Sequence, residues 1–424
     1  MTERTVPGSP AALTKRSVVR WARFAAVAMT ALIPLAVVPG GESPFSGPKL
    51  VAMAAWVAVG ALVLMIAGIN PLAGLDATVW WLVPGWIGLV SASALVNRDI
   101  SIESLLLALL PAGAFLLLAG LRPDPAALLR AAAFSGWMVA VLALLQFFGW
   151  DPFRLLGWVG PAGASPRLRV FGTLGNPNFV AAFLVAALPA TWAAGMLSAG
   201  KGRVLAILGG ALLTGGIVAS GSRAPALAAV SLAGWWLFWS RNRRFIPVLL
   251  LGAALAVWLS PARPLAETVR GRLYIWDVSL PHILESPWLG GGPGSFALRY
   301  PAWETARLAG GAPPDGAARF AGPQRHAHND YLEILTDYGL AGLLLLGAIV
   351  AVALRRSVRA QKEGVDTAVA GAAAGVVVLL ALAVVDFPLM RPAESFLFWV
   401  FLAIVLLPGD NGRQGRPVER SGSH

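Results

Sequence analysis

The stretch His326–Leu346, HAHNDYLEILTDYGLAGLLLL, sets a histidine pair, an asparagine and an aspartate against the start of a long apolar run. The chain holds only four histidines, so two of them one residue apart at the mouth of such a run need a reason. The run continues over 331–354. That is enough to cross a bilayer, which takes about 20 predominantly apolar residues in a helix.

The rest of the chain has the same character. Of 424 residues, 57% are hydrophobic and 13% charged, with mean hydropathy +0.70. A soluble domain is nearer to about half apolar and a quarter charged. Apolar segments recur at 22–38, 50–69, 78–95, 102–121, 126–149, 179–198, 204–220, 224–240, 245–259, 331–354, 368–385 and 394–408. They predict an all-α polytopic membrane protein with about twelve transmembrane helices. Residues 1–20 and 409–424 are then cytoplasmic tails around a membrane domain, 21–408, with two outer excursions at 150–178 and 260–329. The basic TKRSVVRWAR before the first segment is followed by no convincing small-residue cleavage site, so that segment is expected to stay as an anchor. The absence of cysteine excludes disulfides, thiolate catalysis and cysteine-bound metals. A net charge of +12 would suggest nucleic acid in a soluble protein. In a membrane protein it is a question of sidedness, and no nucleic-acid partner is expected.

With a cytoplasmic N-terminus, the basic clusters at 15–23, 122–130, 201–203, 241–244, 355–362 and 413–420 all fall inside. This is the expected bias, and it leaves HAHND outside. In the longer excursion, Leu273, Ile275, Trp276, Leu280, Ile283 and Leu284 recur at helical spacing, which predicts a short amphipathic helix at the interface. Pro287 and the GGGPG run end it. Arg154, Arg167, Arg169, Arg223, Arg270, Arg272, Arg299 and Arg325 go against the inner preference. Their guanidinium forks suit the oxygens of a diphosphate, while the plain alternative is loop solubility. Arg223, alone in a turn between two apolar segments, is the strongest candidate, because charge near membrane depth is costly.

Four pieces occur together in order: GTLGNPNFVAAFLVAALP (172–189), SGSRAPALA (220–228), RLYIWDVSLPHILESPWLGGGPGSF (272–296) and HAHNDYLEILTDYGLAGLLLL (326–346). Over about 170–400 the chain thereby resembles the O-antigen ligase and polymerase superfamily. The resemblance implies a GT-C-like fold with a large periplasmic loop carrying short helices, in a bacterial inner membrane with its site facing the periplasm. It implies a metal-independent, inverting transfer of a glycan from undecaprenyl diphosphate to an acceptor hydroxyl, with no cofactor. Arg223 matches the arginine of the family's Ser-Arg motif, Arg272 the arginine opening the loop helix, and His328 the histidine before the Asn. Those three are the expected catalytic residues. His326, Asn329, Arg169, Arg270, Asn178 and Trp276 are the expected substrate-binding ones.

The chemistry suits these residue types. A sugar diphosphate has a good leaving group, and fixed arginines stabilise the charge gathering on it. A histidine, with an ordinary pKa near ~6.5, suits removal of the acceptor's proton. Plainer readings stand beside each assignment. HAHND also fits a cap, with Asn329 or Asp330 closing a helix from Tyr331, or two metal ligands that lack an obvious third. GNPN fits a helix start with Pro177 at the entrance and Asn178 as cap. GGGPG lacks the Lys-Ser/Thr of a phosphate loop and fits a close-approach turn. Trp276, Trp288 and Trp303 fit either packing or stacking on sugars. Glu333, Asp337, Asp386 and Arg391 are expected to orient the site's arginines or histidines. The functional readings are a ligase, a polymerase using the same chemistry, and a transporter, which would need ionisable groups near the midplane.

Overall fold

A computed structural model describes residues 10–73, 75–158, 170–223, 265–311, 324–364 and 366–407. Among these, every regular element is helical. The α-helices are α1 (Pro10–Leu32), α2 (Gly47–Ala67), α3 (Ala77–Val96), α4 (Ile102–Leu121), α5 (Pro125–Phe147), α6 (Pro177–Met196), α7 (Lys201–Ser220), α8 (Leu265–Ile283), α9 (Ser295–Ala309), α10 (Asp330–Glu363), α11 (Thr367–Leu382) and α12 (Pro392–Leu406). Eight spans, in α1–α7 and α10, are long and apolar enough to cross a membrane. α11 and α12 are apolar but shorter. The polytopic all-α expectation holds. The expected segments 224–240 and 245–259, residues 1–9 and the C-terminal tail lie outside the described residues, while residues 10–20 of the expected N-terminal tail are already part of α1.

Local chemistry sets the helix starts. The side chains of Asp76, Ser101, Asp124, Asn176, Asn329 and Asp366 each accept from a first-turn amide, supplying partners that a helix lacks at its start. The cap of α6 is Asn176, whose side chain accepts from the amide of Asn178 at 2.8 Å. The expected cap, Asn178, instead sits one residue past Pro177, which occupies the first helical position. The cap of α10 is Asn329, and Asp330 is already helical.

The helices cross closely where small residues meet. A side chain on Gly136 would run into Ala187, one on Gly216 into Ala140, and one on Gly371 into Ala193. These contacts lock α5, α6, α7 and α11 together, and such small-residue contacts are how helices associate without a hydrophobic driving force. Short turns make α6 antiparallel to α7, so the start of α6, the end of α7 and the start of α10 share one end of the bundle.

Two pieces of loop are built onto that end. Residues 170–176 are held by Gln146, whose side-chain oxygen accepts from Phe171 (3.0 Å) and Gly172 (2.7 Å). Lys49, 2% exposed, donates to the carbonyls of Ala36, Phe45 and Thr173 at 2.7–2.8 Å. The second piece is the α8–α9 pair, with its own cluster of Tyr274, Ile275, Val278, Phe296, Tyr300 and Trp303 packed against Ala327 and Leu332. The amphipathic helix expected there is α8. Ile275 points into that cluster, while Leu273, Leu280 and Leu284 are exposed.

The long apolar run of α10 is broken. Gly339 has φ 65° and ψ −168°, outside helical space, and a side chain there would collide with the backbone of Trp288. The amides freed by the break are taken up: Leu340 donates to Pro287 at 2.7 Å and Ala341 to Trp288 at 3.2 Å. In return, Gly291 and Gly292 donate to the carbonyls of Thr336 and Asp337, and the Asp337 carboxylate accepts from Gly294 and Phe296. GGGPG is thus a close-approach turn, since a side chain on Gly290 would strike the Asp337–Tyr338 backbone. Asp337 serves this turn, a different duty from the orienting role expected of it.

Candidate active site

The histidine turn is pinned from three sides. From α10, Glu333 reaches back to accept from the Ala327 amide at 3.0 Å and to pair with His326 Nδ1 at 2.8 Å. From α8, the Trp276 indole donates to the Ala327 carbonyl at 2.9 Å. From the end of α11, the carbonyls of Ala383 and Val384 accept from the Asp330 amide and the Asn329 side chain. So held, His328 takes φ 51°, left-handed backbone that few residues other than glycine adopt.

Both rings meet one aromatic face. The His326 ring stacks on Phe387 at 4.1 Å and 13°, and the His328 ring meets the same side chain edge-on at 5.0 Å. The Arg391 guanidinium lies 5.2 Å from Phe387 and 4.3 Å from Phe179 of α6. Beside them Asp386 bridges two partners, with Oδ2 3.2 Å from Arg391 and Oδ1 4.0 Å from His328 Nδ1. Arg391 is also paired with Glu394 at 3.1 Å.

His328 Nδ1 is buried and makes no hydrogen bond among the described residues. Burial pushes its imidazole down to about 4; Asp386 opposes that shift, and Arg272 reinforces it. The ring is therefore neutral at ordinary pH, with a lone pair to offer. Burial also pulls the Arg272 guanidinium below its usual value, and Asp386 opposes the shift. Asp386 thus acts electrostatically on both Arg272 and His328. Among the described residues no group of three His, Asp or Glu side chains is arranged to hold a metal ion.

The other candidates separate clearly. Arg223 sits half-buried just past α7, at the same end of the bundle. Arg270 is exposed on α8, and Asn178 is half-buried in the first turn of α6. Arg169 lies outside the described residues. Trp276 donates to the Ala327 carbonyl of the turn, and Asn329 donates to the Val384 carbonyl and accepts from the Leu332 amide, so both position the histidines. Trp303 is 9% exposed and stacked on His282 at 4.4 Å. Glu333 and Asp386 do face the histidines, as their placement in the sequence suggests. Sequence reasoning missed Phe387 and Lys49. A cation at the outer start of an apolar helix was the available signal for Lys49, and an aromatic following Asp386 gave none.

Residues 208–347, which contain Arg223, Arg272, His326 and His328, match the O-antigen ligase family. The chain is also similar to an O-antigen ligase of Pseudomonas aeruginosa, at 31% identity over 287 residues. That alignment takes in 65% of this chain and 62% of the relative, so the chain spans about three-fifths of the relative's length.

Proposed function

We propose that the chain, similar over residues 208–347 to the O-antigen ligase family, is a ligase-type glycosyltransferase moving a glycan from undecaprenyl diphosphate to an acceptor hydroxyl. One observation carries this reading. A neutral, buried imidazole nitrogen without a hydrogen bond is held within electrostatic reach of the Arg272 guanidinium by a turn in left-handed backbone.

In the proposed reaction the acceptor oxygen attacks the anomeric carbon from the face opposite the diphosphate. Its proton passes to His328 as the carbon–oxygen bond to the diphosphate breaks, which inverts the centre without a metal ion. Arg272 and Arg223 receive the charge that collects on the departing diphosphate, and fixed donors in a water-poor site are at their most effective there. Burial lowers the basicity of His328. A diphosphate carries negative charge into the site, favours the imidazolium, and so makes the base stronger when the donor is bound.

The charge pattern supports a site facing the periplasm from the inner membrane. Arg16, Arg20, Arg23, Arg122, Arg130, Lys201, Arg203, Arg355 and Arg359 all lie at the end away from the histidines, where cytoplasmic basic residues belong. The names of the matched family and relative favour a ligase over a polymerase.

The test uses His328→Asn, because asparagine tolerates left-handed backbone. Reconstituted in proteoliposomes with lipid-linked glycan, this variant is expected to insert normally and lose transfer. Normal turnover would remove His328 as the base. A deletion strain is expected to accumulate lipid-linked polymer. Accumulation of single repeat units would identify a polymerase instead.

A further inference from the structure

The end of the bundle away from the histidines holds a cavity of about 730 Å³. It lies where α4 turns into α5, α6 and α12 end, and α11 begins, with α1 along its side. Its wall has two parts. Phe24, Val27, Leu118, Leu128, Ile404 and Leu407 give an apolar lining, and Arg23, Arg122, Asp124 and Asp366 surround the opening.

The charges at the opening are unequal in what they can offer. Asp124 accepts from the amides of Ala126 and Ala127 and pairs with Arg130 at 3.3 Å. Asp366 accepts from the amides of Ala368 and Val369. Both carboxylates are therefore spent on helix starts, and the positive ends of α5 and α11 offset them further. The guanidiniums are placed differently. Arg23 donates through Nε to the Leu121 carbonyl, which fixes its fork at the opening. Arg122 is held in left-handed backbone at φ 48°, a conformation that costs energy for a residue of this kind. A volume with a greasy wall and two guanidiniums at its opening, beside carboxylates already engaged by helix-start amides and by Arg130, matches an amphiphile with an anionic head.

We propose that this cavity binds an anionic phospholipid of the leaflet away from the histidine site. Arg23 and Arg122 hold the phosphate, and the first acyl carbons lie against Phe24, Val27 and Ile404. The exposed Arg16 and Arg20, on the same helix as Arg23, raise the local concentration of such lipids. The proposal is independent of the glycosyl-transfer reading.

Native mass spectrometry of the full chain, released from nanodiscs of equal phosphatidylglycerol and phosphatidylcholine, provides the test. The unaltered protein is expected to retain phosphatidylglycerol in preference. Loss of two guanidiniums in Arg23→Gln/Arg122→Asn is expected to lower retention about 30-fold, from the usual strength of such contacts. Arg355→Gln, exposed at the same end but outside the cavity, should bind as the unaltered protein does. Ala127→Phe fills the cavity with its charges intact, should also lose the lipid, and decides the matter if the double variant fails to insert. Equal retention of the two lipids, or unchanged retention in Ala127→Phe, overturns the proposal. So does a chain ending at Leu407 that binds phosphatidylglycerol better than the full chain, because residues 408–424 would then be the occupant.

Discussion

The two ends of the bundle store charge in opposite ways. At the histidine end Lys49, Asp330, Glu333, Asp337, Asp386, Arg391 and Glu394 are each at most 4% exposed. At the other end Arg16, Arg20, Arg23, Arg130, Lys201, Arg203, Arg355 and Arg359 are all exposed. A solvated cation is cheap and loses little when changed, whereas a buried ion costs several kcal/mol unless its partners stay in place. Charge count therefore says little about which end does chemistry. Burial and partnership separate the two.

This contrast can be broken at several points. The largest effect is expected for His328→Asn, a fall of about 10²–10⁴-fold in transfer rate, the usual contribution of a general base. Retained activity would place the histidine end in a structural role. Arg391→Gln leaves Asp386 and Glu394 buried without their cation, and an expected loss of about 3–5 kcal/mol in stability would show in detergent melting curves. Arg272→Lys keeps the charge but loses the planar fork, and a roughly 10²-fold drop in turnover is expected. Full activity there would count against a bidentate diphosphate contact.

Acidity sharpens the comparison further. The folded-state pKa of His328, about 4, lies below its ordinary value, so the unfolded chain binds the proton more readily. The resulting stability is whole above the ordinary value near ~6.5 and is lost as pH falls toward the folded value. Between pH 7 and pH 5 the unaltered protein should lose about 2–4 °C more in Tm than His328→Asn does. Parallel curves would mean that His328 is not desolvated. The smallest effect belongs to the other end: Arg355→Gln should change stability by no more than about 0.5 kcal/mol and leave transfer untouched.

The helices were legible because bilayer thickness translates directly into run length, as over 102–121, where the expected and observed bounds coincide. The histidine turn was legible because few polar residues interrupt so apolar a chain. The break at Gly339 was not. The apolar pattern runs through it without interruption, and its cause is the backbone of Pro287 and Trp288, some fifty residues upstream. Lys49 stayed hidden for the same reason, since one of its three carbonyls belongs to Thr173. The cap of α6 was placed two residues late because GNPN offers two asparagines around one proline, and only the backbone geometry of Asn176 chooses between them. At Gly339 and Lys49 what escaped was fixed by contacts distant along the chain, and at Asn176 by a local choice of backbone conformation.

The interruption of α10 has a mechanical consequence. Residues 330–338 form a short rigid piece clasped by the amides and carbonyls of 287–296, and the histidines ride directly on its leading edge. The lever has no slack. Any tilt of the α8–α9 pair is passed through that clasp to the imidazoles, while residues 340–363 continue as the long apolar part of the helix.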